Sequence, residues 1–269
     1  MTIAICIILL LFVLYLILLC GRSGNPKLAD LRGWAYAHRG LHGDGVPENS
    51  MAAFRAALEN GYGVELDVHL LKDGNLAVIH DASLLRTAGC DVRIEDLTTE
   101  QLCEYPLEGT AETIPEFRSV LELFDGKAPL IIELKAENGN HAQLTETTCR
   151  MLENYSGAYC LESFDPRCTL WLKKNRPELV RGQLTENFFA SKSSKLPAIL
   201  KFFLTCQLGN IAFQPDFVAY RYADRKNPGM YFVRKFWGVQ GVSWTIRTQE
   251  EYDTACKEGW ISIFEGFRP

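Results

Sequence analysis

The sequence lacks the motifs of several common protein classes. None of its 269 residues belongs to a glycine-rich phosphate loop of the GxGxxG or Walker type, so a dinucleotide-binding sheet has no support. No internal repeat and no low-complexity tract interrupts the chain. With 47% hydrophobic and 23% charged residues, the composition excludes wholesale disorder, collagen-like repetition and a polytopic membrane protein. A single folded unit, or at most two, fits this length.

Basic residues are not in excess, and cysteines form no paired motif. The formal net charge is -5, which argues against nucleic acid as a partner because phosphate-backbone binders usually carry positive charge. Nine cysteines are present and none has CxxC spacing. This unpatterned set is typical neither of a disulfide framework nor of a zinc site, so we expect most of these cysteines to be small buried side chains.

An apolar run occupies the N-terminus. From Ile3 to Cys20 every residue is apolar except Tyr15. A helix of that length would span about 27 Å at ~1.5 Å per residue, close to the ~30 Å hydrocarbon core of a bilayer. No basic residue precedes the run and Leu19 is bulky for a cleavage site, so a cleaved signal peptide or a lipoprotein site at Cys20 fits less well than an uncleaved anchor.

The residues after this run give an expected orientation. Arg22, Lys27 and Arg32 follow it, and by the positive-inside rule they place the rest of the chain in the cytoplasm. We therefore predict a single-pass membrane protein with a cytoplasmic-facing body. Its predicted divisions are a transmembrane helix within residues 1–22, a polar linker over residues 23–33 and one domain over residues 34–269.

Strand-like runs alternate with helix-like stretches about eight times after residue 33. The strand-like runs are Trp34–Ala37, Gly63–Leu70, Leu76–His80, Pro129–Leu134, Gly157–Leu161, Leu179–Gln183, Phe217–Tyr220, Gly241–Ile246 and Ile261–Phe264. This alternation predicts a parallel α/β fold, and the length favours an eight-fold (βα) barrel, the TIM barrel. Functional side chains are then expected at the C-terminal ends of the strands. We expect Ser191–Lys195 to be a solvated turn.

Paired carboxylates interrupt one of these apolar runs. Glu65 and Asp67 lie two residues apart in a predicted strand, so their side chains point to the same face. Two carboxylates on an interior strand are costly unless a charge compensates them, and Mg²⁺ or Ca²⁺ is the simplest compensator. The alternatives are a solvated strand face or ion pairs with Arg39 or Lys72.

Further polar residues fall at other predicted strand ends. Glu133 and Lys135 share a face of an apolar run, while His38 and His80 each end a strand-like run. A divalent-cation site beside two histidines suits phosphodiester chemistry, in which one imidazole accepts a proton from the nucleophile and the other protonates the leaving alkoxide. We assign the remaining histidines structural roles, although His69 shares the Glu65 face and is a candidate supporting residue.

In order and spacing, these motifs resemble the glycerophosphodiester phosphodiesterase family. The matching segments are His38-Arg39-Gly40, Pro47-Glu48-Asn49, Glu65-Leu66-Asp67-Val68, Lys72-Asp73-Gly74, His80-Asp81, Glu133-Leu134-Lys135, Ser163-Phe164 and Ser243-Trp244-Thr245. The resemblance extends from Trp34 to the C-terminus. It implies a TIM-barrel hydrolase that uses a divalent cation to cleave glycerophosphodiesters to glycerol 3-phosphate and an alcohol.

The resemblance also implies a role for each matching residue. The implied roles are general acid/base catalysis for His38 and His80, metal binding for Glu65, Asp67 and Glu133, phosphate contact for Arg39 and Lys135, and apolar walls beside the glycerol or leaving group for Phe164 and Trp244. The sequence departs from the family pattern at Leu71, where threonine is usual, and at Glu265, where an aspartate is common. We expect both departures to affect substrate choice.

Two other functions remain open at this point. A lipid-directed phosphodiesterase of the same fold, of the lysophospholipase D or sphingomyelinase D kind, is plausible because an anchor would hold the barrel near lipid headgroups. A catalytically silent phosphodiester-binding protein would need the same pocket without turnover. The expected substrate is thus a small-molecule or lipid-derived phosphodiester.

Overall fold

Eight parallel strands close into a barrel in the computed structural model, which describes residues 1–191 and 196–269. The barrel strands are β1 (Ala35–His38), β2 (Gly63–Leu70), β4 (Leu130–Leu134), β5 (Tyr159–Ser163), β6 (Arg181–Thr185), β7 (Phe217–Arg221), β8 (Gln240–Ile246) and β9 (Ile261–Phe264). Pairing of β1 with both β2 and β9 closes the ring. The predicted (βα)₈ barrel is confirmed.

The helices lie outside the barrel, and most of them cover the outer faces of its strands. They are α1 (Thr2–Leu18), α2 (Met51–Glu59), α3 (Leu85–Ala88), α4 (Phe117–Phe124), α5 (His141–Met151), α6 (Pro166–Asn175), α7 (Ala198–Thr205), α8 (Asn210–Phe213), α9 (Pro228–Trp237) and α10 (Gln249–Lys257). Residues 192–195, most of the predicted solvated turn, lie outside the described residues.

The side chains of β2 alternate between two environments. Val64, Leu66 and Val68 belong to the apolar layer between the barrel and its helices, where they are fully buried. The residues between them, Glu65 and Asp67, therefore point into the barrel. All eight residues of this strand are buried, because helices cover one face and the barrel interior the other. The fold thus places two carboxylates inside the barrel, toward the C-terminal end of its strands.

The short strand β3 (Leu76–Val78) lies outside the barrel ring. It pairs antiparallel with β2, and Lys72–Asn75 form the turn between the two strands, which contains the Asp-Gly pair typical of a hairpin. The strand-like run that the sequence extends to His80 ends at Val78. His80 consequently sits on the segment that leaves this hairpin and crosses the end of the barrel.

The N-terminal helix differs from the prediction. α1 has 17 residues, and no helix in the described part of the chain is long and apolar enough to cross a membrane, so the predicted transmembrane helix is not supported. The end of the apolar run instead packs on the protein. Leu19 is fully buried, and the Trp237 indole donates a 2.8 Å hydrogen bond to the Leu16 carbonyl.

The predicted polar linker also packs against the barrel. Pro26–Leu31 form a 3-10 turn whose Leu28 and Leu31 are buried with the apolar residues of the barrel interior. The Tyr36 hydroxyl donates a 2.8 Å hydrogen bond to the Leu31 carbonyl. This segment therefore covers the N-terminal end of the barrel, opposite the end that receives the carboxylates.

Gly182 on β6 provides a test of barrel packing. A β-carbon there would lie 2.1 Å from the Phe217 ring, which is fully buried on the neighbouring strand. We expect Gly182→Ala to lower the free energy of unfolding by about 1–3 kcal/mol because the ring must move within a close-packed core. Urea denaturation measures the change. Gly43→Ala is the matched control, since no atom lies within 4 Å of its β-carbon position. Equal stabilities of the two variants would contradict this packing.

Candidate active site

Three carboxylates meet at the C-terminal end of the barrel. Asp67 and Glu133 are directly paired in the register of β2 and β4, and Glu65 lies two residues before Asp67 on the same face of β2. One oxygen from each of the three lies within 4.8 Å of the others. Their exposed fractions are 3% for Glu65, 0% for Asp67 and 7% for Glu133. The structure therefore brings together all three predicted metal ligands.

The charges of this carboxylate cluster are only partly balanced. Burial, together with the neighbouring carboxylates, raises the pKa of Glu65 well above its ordinary value. Burial also raises the pKa of Glu133, and Lys135 only partly opposes that effect. Burial would raise the pKa of Asp67 too, but Lys135, His80 and Arg39 outweigh it and lower the pKa. Two of the three carboxylates thus lack enough positive charge to stay ionised in the protein alone.

A divalent cation fits this donor set. The three ligands are carboxylate oxygens, the type of donor that Mg²⁺ and Ca²⁺ both prefer. Two further buried oxygens near the cluster, Asn49 Oδ1 and Glu162 Oε2, have no hydrogen-bond partner among the described residues. Buried polar atoms without partners are uncommon, and an ion or its water ligands would satisfy them.

His38 ends β1 beside the cluster. Its Nδ1 donates a 2.6 Å hydrogen bond to Glu265 Oε2, and its Nε2 lies 3.8 Å from Glu65 Oε2. Since a carboxylate can only accept, Glu265 places the proton on Nδ1 and leaves Nε2 facing the cluster. Burial lowers the pKa of His38, so the neutral ring with a free Nε2 is favoured.

Glu265 has a different role from the one that the sequence suggests. We expect this departure from the family pattern to affect substrate choice, yet the side chain contacts His38 instead. Arg247 Nη1 donates a 2.9 Å hydrogen bond to Glu265 Oε1 and holds the carboxylate in place. The hydrogen bond from His38 lowers the pKa of Glu265 to about 2. Glu265 is thus an ionised carboxylate that orients the imidazole of His38.

His80, on the segment that follows β3, has an arrangement similar to that of His38. Its Nδ1 donates a 2.6 Å hydrogen bond to Asp81 Oδ1, and burial lowers its pKa to about 4. His69, a candidate supporting residue, contacts this segment, since His69 Nε2 donates a 3.2 Å hydrogen bond to the His80 carbonyl. His69 is itself held by Glu95, at 2.9 Å from its Nδ1. Both candidate acid/base histidines therefore have a carboxylate on Nδ1.

The turn after β1 positions Arg39 and Asn49. Both residues adopt the left-handed conformation, with φ of 54° and 52°. The backbone N–H of Asn49 donates a 2.8 Å hydrogen bond to the Arg39 carbonyl. Asn49 Nδ2 then donates a 2.8 Å hydrogen bond to Asp67 Oδ2, and Arg39 Nε lies 3.6 Å from the same oxygen. Burial opposes the charge of Arg39, but Asp67, Glu48 and Glu65 outweigh it and raise the pKa.

Lys135 supplies the second cation of the site. Its Nζ lies 2.9 Å from Glu133 Oε1 and 3.2 Å from Asp67 Oδ1. Burial alone would lower the pKa of Lys135, but these carboxylates raise it, so the side chain stays charged. The two residues predicted to contact phosphate, Arg39 and Lys135, thus lie on either side of Asp67.

A cleft of about 570 Å³ opens from the cluster toward the outside of the barrel. Its polar end contains His80, Glu133 and Lys135, and its apolar wall begins with Phe164. Trp244 does not line this cleft. It packs edge-on against Phe164 with ring centroids 5.6 Å apart, so it supports the wall from behind.

The apolar wall continues beyond the residues that the sequence predicts. It consists of Phe188 and of three leucines from the segment around α7, namely Leu196, Leu200 and Leu204. Leu200 and Leu204 are one helical turn apart, so they lie on the same face of α7. Nothing in the helix-like pattern of α7 indicates that one of its faces lines a site, because an apolar stripe is normally core.

Glu162 is a further residue that the sequence analysis missed. It is 1% exposed and directly pairs with Glu133 in the register of β4 and β5. Burial and the nearby Glu133 raise its pKa well above the ordinary value. The signal was available, because a carboxylate inside an apolar strand is the pattern that identified Glu65. It was overlooked because the predicted strand ended at Leu161, whereas β5 extends to Ser163.

Comparison with known proteins agrees with this geometry. The model of the glycerophosphoryl diester phosphodiesterase family matches residues 38–265. A glycerophosphodiester phosphodiesterase of Bacillus altitudinis is 43% identical over 110 residues, which cover 38% of this chain and 44% of the relative. The lysophospholipase D GDPD1 of Rattus norvegicus is 36% identical over 118 residues, covering 38% of this chain and 36% of the relative. The chain therefore spans less than half the length of either relative.

A solved structure supports the same fold. An Oleispira antarctica phosphodiesterase, in complex with the product sn-glycerol-3-phosphate, superimposes with a TM-score of 0.70 and 21% identity. The match covers 86% of this chain and 92% of that protein. At this level of identity the likeness concerns the barrel architecture.

The carboxylate cluster predicts saturable divalent-cation binding. We expect Mg²⁺ and Ca²⁺ to raise the melting temperature, because an ion that binds only the folded state stabilises it. Glu133→Gln removes one ligand and should weaken binding at least about tenfold, measured by isothermal titration calorimetry. Glu146→Gln is the control, since this side chain is exposed on α5, outside the cluster and the cleft. Equal affinities in the native protein and Glu133→Gln would place the ion elsewhere.

Proposed function

Because this chain belongs to the glycerophosphoryl diester phosphodiesterase family, we propose that it hydrolyses glycerophosphodiesters to glycerol 3-phosphate and an alcohol. One observation carries the proposal: two histidines, each with a carboxylate on Nδ1, lie beside a buried carboxylate cluster that also holds two cationic side chains. A phosphodiester carries one negative charge and needs both cations and proton-transfer groups at one place.

In the proposed reaction, the two histidines exchange protons with the substrate oxygens. One neutral imidazole accepts a proton at Nε2 from the attacking hydroxyl, which is either water or the neighbouring hydroxyl of the glycerol. The other, as an imidazolium, donates a proton to the departing alkoxide. Glu265 and Asp81 hold the two rings through Nδ1 and stabilise whichever ring is protonated. If the glycerol hydroxyl attacks first, water then opens the cyclic phosphate with the roles reversed.

The cationic side chains bind the phosphate. Arg39 and Lys135 flank Asp67, and Lys135 lines the cleft, so the two side chains would bind the non-bridging phosphate oxygens from either side of Asp67. Their charge offsets the negative charge that increases on these oxygens as the new bond forms. Because both side chains are held by ion pairs before substrate arrives, little reorganisation is needed in the reaction.

Glu65, Asp67 and Glu133 would hold a Mg²⁺ or Ca²⁺ ion in this proposal. When bound, the ion supplies Lewis-acid stabilisation of the phosphoryl oxygens. Asn49 keeps Asp67 oriented toward the cluster, because its Nδ2 donates a 2.8 Å hydrogen bond to Asp67 Oδ2. The raised pKa values of Glu65 and Glu133 are the property that favours an ion, since a bound cation would lower both.

A second candidate substrate is a lysophospholipid, the single-chain lipid form of a glycerophosphodiester. The observation that favours it is the apolar wall formed by Phe164, Phe188, Leu200 and Leu204, which leads away from the polar end of the cleft. A small headgroup such as choline does not need an apolar wall of this length, whereas an acyl chain does. Both substrates use the same phosphate site, so the wall bears on substrate choice alone.

The location of the barrel is a separate proposal. We infer a cytoplasmic location from the cysteines, because the exposed thiols of Cys90, Cys103 and Cys256 are free, as is usual in a reducing compartment.

Replacing either proposed acid/base residue tests the reaction. We expect His38→Ala and His80→Ala each to lower kcat for glycerophosphocholine by about 10²–10⁴-fold, because each ring transfers a proton in the transition state. EDTA should abolish the activity and added Mg²⁺ or Ca²⁺ should restore it. His141→Ala is the control, since His141 lies at the start of α5, outside the cluster. A chain that binds glycerophosphocholine without turnover would instead be a phosphodiester-binding protein.

The apolar wall makes a prediction about substrate choice. Leu200→Gln should lower kcat/KM for a water-soluble, short-chain lysophosphatidylcholine about tenfold or more, mainly through KM, because a polar group replaces part of the acyl contact. Hydrolysis of glycerophosphocholine should change less than twofold. Ile199→Gln is a matched control, because this neighbour does not line the cleft. Equal losses on both substrates would argue against an acyl site along this wall.

A further inference from the structure

The outside of the protein carries an unusually large apolar surface. α1 exposes eleven large apolar side chains, from Ile3 at 78% to Phe12 at 41%, and none of its residues is buried. A helix that is apolar on all sides is normally surrounded by protein or lipid. Soluble monomers rarely expose a contiguous apolar patch above roughly 300–600 Å², and a helix exposed in this way exceeds that range.

Exposed apolar residues continue onto two helices beside α1. On α7, Ile199, Phe202 and Phe203 are 70%, 50% and 46% exposed, and on α9, Tyr231 and Phe236 are 61% and 57% exposed. We call the exposed side of α1 together with these five residues the apolar face.

The three helices of the apolar face meet at one point. Phe12 and Tyr15 of α1 pack edge-on against Phe232 of α9, with ring centroids 5.5 Å and 6.2 Å apart. A β-carbon at Gly229 would lie 3.2 Å from the Tyr15 hydroxyl and 3.3 Å from Gln207 Nε2. Since Gln207 follows α7 by two residues, the end of α7, the start of α9 and the last turns of α1 are in contact there.

A basic cleft lies beside the apolar face. It has a volume of about 660 Å³ and is lined by Arg225, Lys226, Arg234 and Lys235 with one acidic residue, Glu258. The Arg225 side chain pairs with that glutamate, but Lys226 and Lys235 are exposed and form no ion pair among the described residues. Positive charge is therefore concentrated next to exposed aromatic side chains, although the chain as a whole has a net charge of -5.

We propose that the apolar face docks onto the surface of a bilayer that contains anionic phospholipid, with the basic cleft contacting the headgroups. Aromatic and aliphatic side chains beside unpaired lysines are the combination by which peripheral proteins bind such surfaces. Docking is interfacial, because α1 has 17 residues and its last turn is held against α9. Charge favours this occupant over a second copy of the chain, because a two-fold dimer through the apolar face would bring two basic clefts near each other, whereas anionic headgroups complement them.

The same face explains how a lipid would reach the site. α7 contributes Phe202 and Phe203 to the apolar face, and Leu200 and Leu204 to the wall of the substrate cleft. A chain docked by α7 therefore has its cleft beside the lipid surface, and an acyl chain can move along α7 without crossing water. This part of the inference rests on the proposed function, whereas the docking itself does not.

Vesicle flotation of the full chain tests the docking. We expect binding to vesicles of phosphatidylcholine with one-fifth phosphatidylglycerol, and at least about tenfold weaker binding for Phe202→Asp/Phe203→Asp. Lys226→Glu/Lys235→Glu should remove the preference for anionic over pure phosphatidylcholine vesicles. Leu85→Asp is the matched control, because Leu85 is a 59% exposed leucine on α3, outside the apolar face. Circular dichroism and the melting temperature establish that each variant is folded.

Activity assays separate failure of the docking from failure of the proposed function. Phe202→Asp/Phe203→Asp should hydrolyse water-soluble glycerophosphocholine at the native rate but lose at least about tenfold in rate on lysophosphatidylcholine presented in the same vesicles. Absence of vesicle binding by the folded native chain would overturn the docking, whatever its activity. A native dimer that the double variant converts to a monomer, with no vesicle binding, would assign the face to self-association and overturn the proposal as well. A chain that binds vesicles but hydrolyses neither substrate would leave the docking standing and refute the proposed function.

Discussion

Burial of several carboxylates at one end of the barrel is the constraint on which the site depends. Glu65, Asp67, Glu133 and Glu162 are each less than a tenth exposed, and their negative charges face one another across β2, β4 and β5. Removing charge from water is costly, so such a cluster persists only with cations or protons inside it. Lys135 provides one positive charge for the group. The remaining negative charge favours a divalent ion, and the cations together would bind a negatively charged phosphodiester.

The surrounding hydrogen bonds follow from this charge. A histidine beside several carboxylates would turn toward them unless another acceptor holds its Nδ1, and both His38 and His80 have such an acceptor. Asn49 fixes Asp67 in the same way from the opposite side. These supporting contacts are made by loops that follow strands, the location where a barrel tolerates variation while its strands keep the cluster in register.

The sequence was sufficient for the barrel and for most of the site, because both depend on local periodicity. Alternation along β2 placed Glu65 and Asp67 on one face, and no tertiary information was needed. The contact between Glu265 and His38 could not be predicted, since it joins the first and last strands only when the ring closes. The same limit applies to α1, where composition gives hydrophobicity but not that Leu19 would be buried against the barrel.

The proposed phosphodiesterase activity has two requirements, and different parts of the chain would meet them. The phosphate end of any substrate needs the same charges, and these come from strands whose register cannot shift without breaking the barrel. In the proposed lysophospholipid substrate, the acyl chain on the glycerol would meet α7, a helix outside the barrel ring that contributes Leu200 and Leu204 to the cleft. Under this proposal, replacement of residues on α7 would change whether an acyl chain is accepted, while Glu65, Asp67 and Glu133 would keep their geometry. In the proposed function, acceptance of an acyl chain would then depend on one helix, and the phosphate chemistry would depend on the barrel.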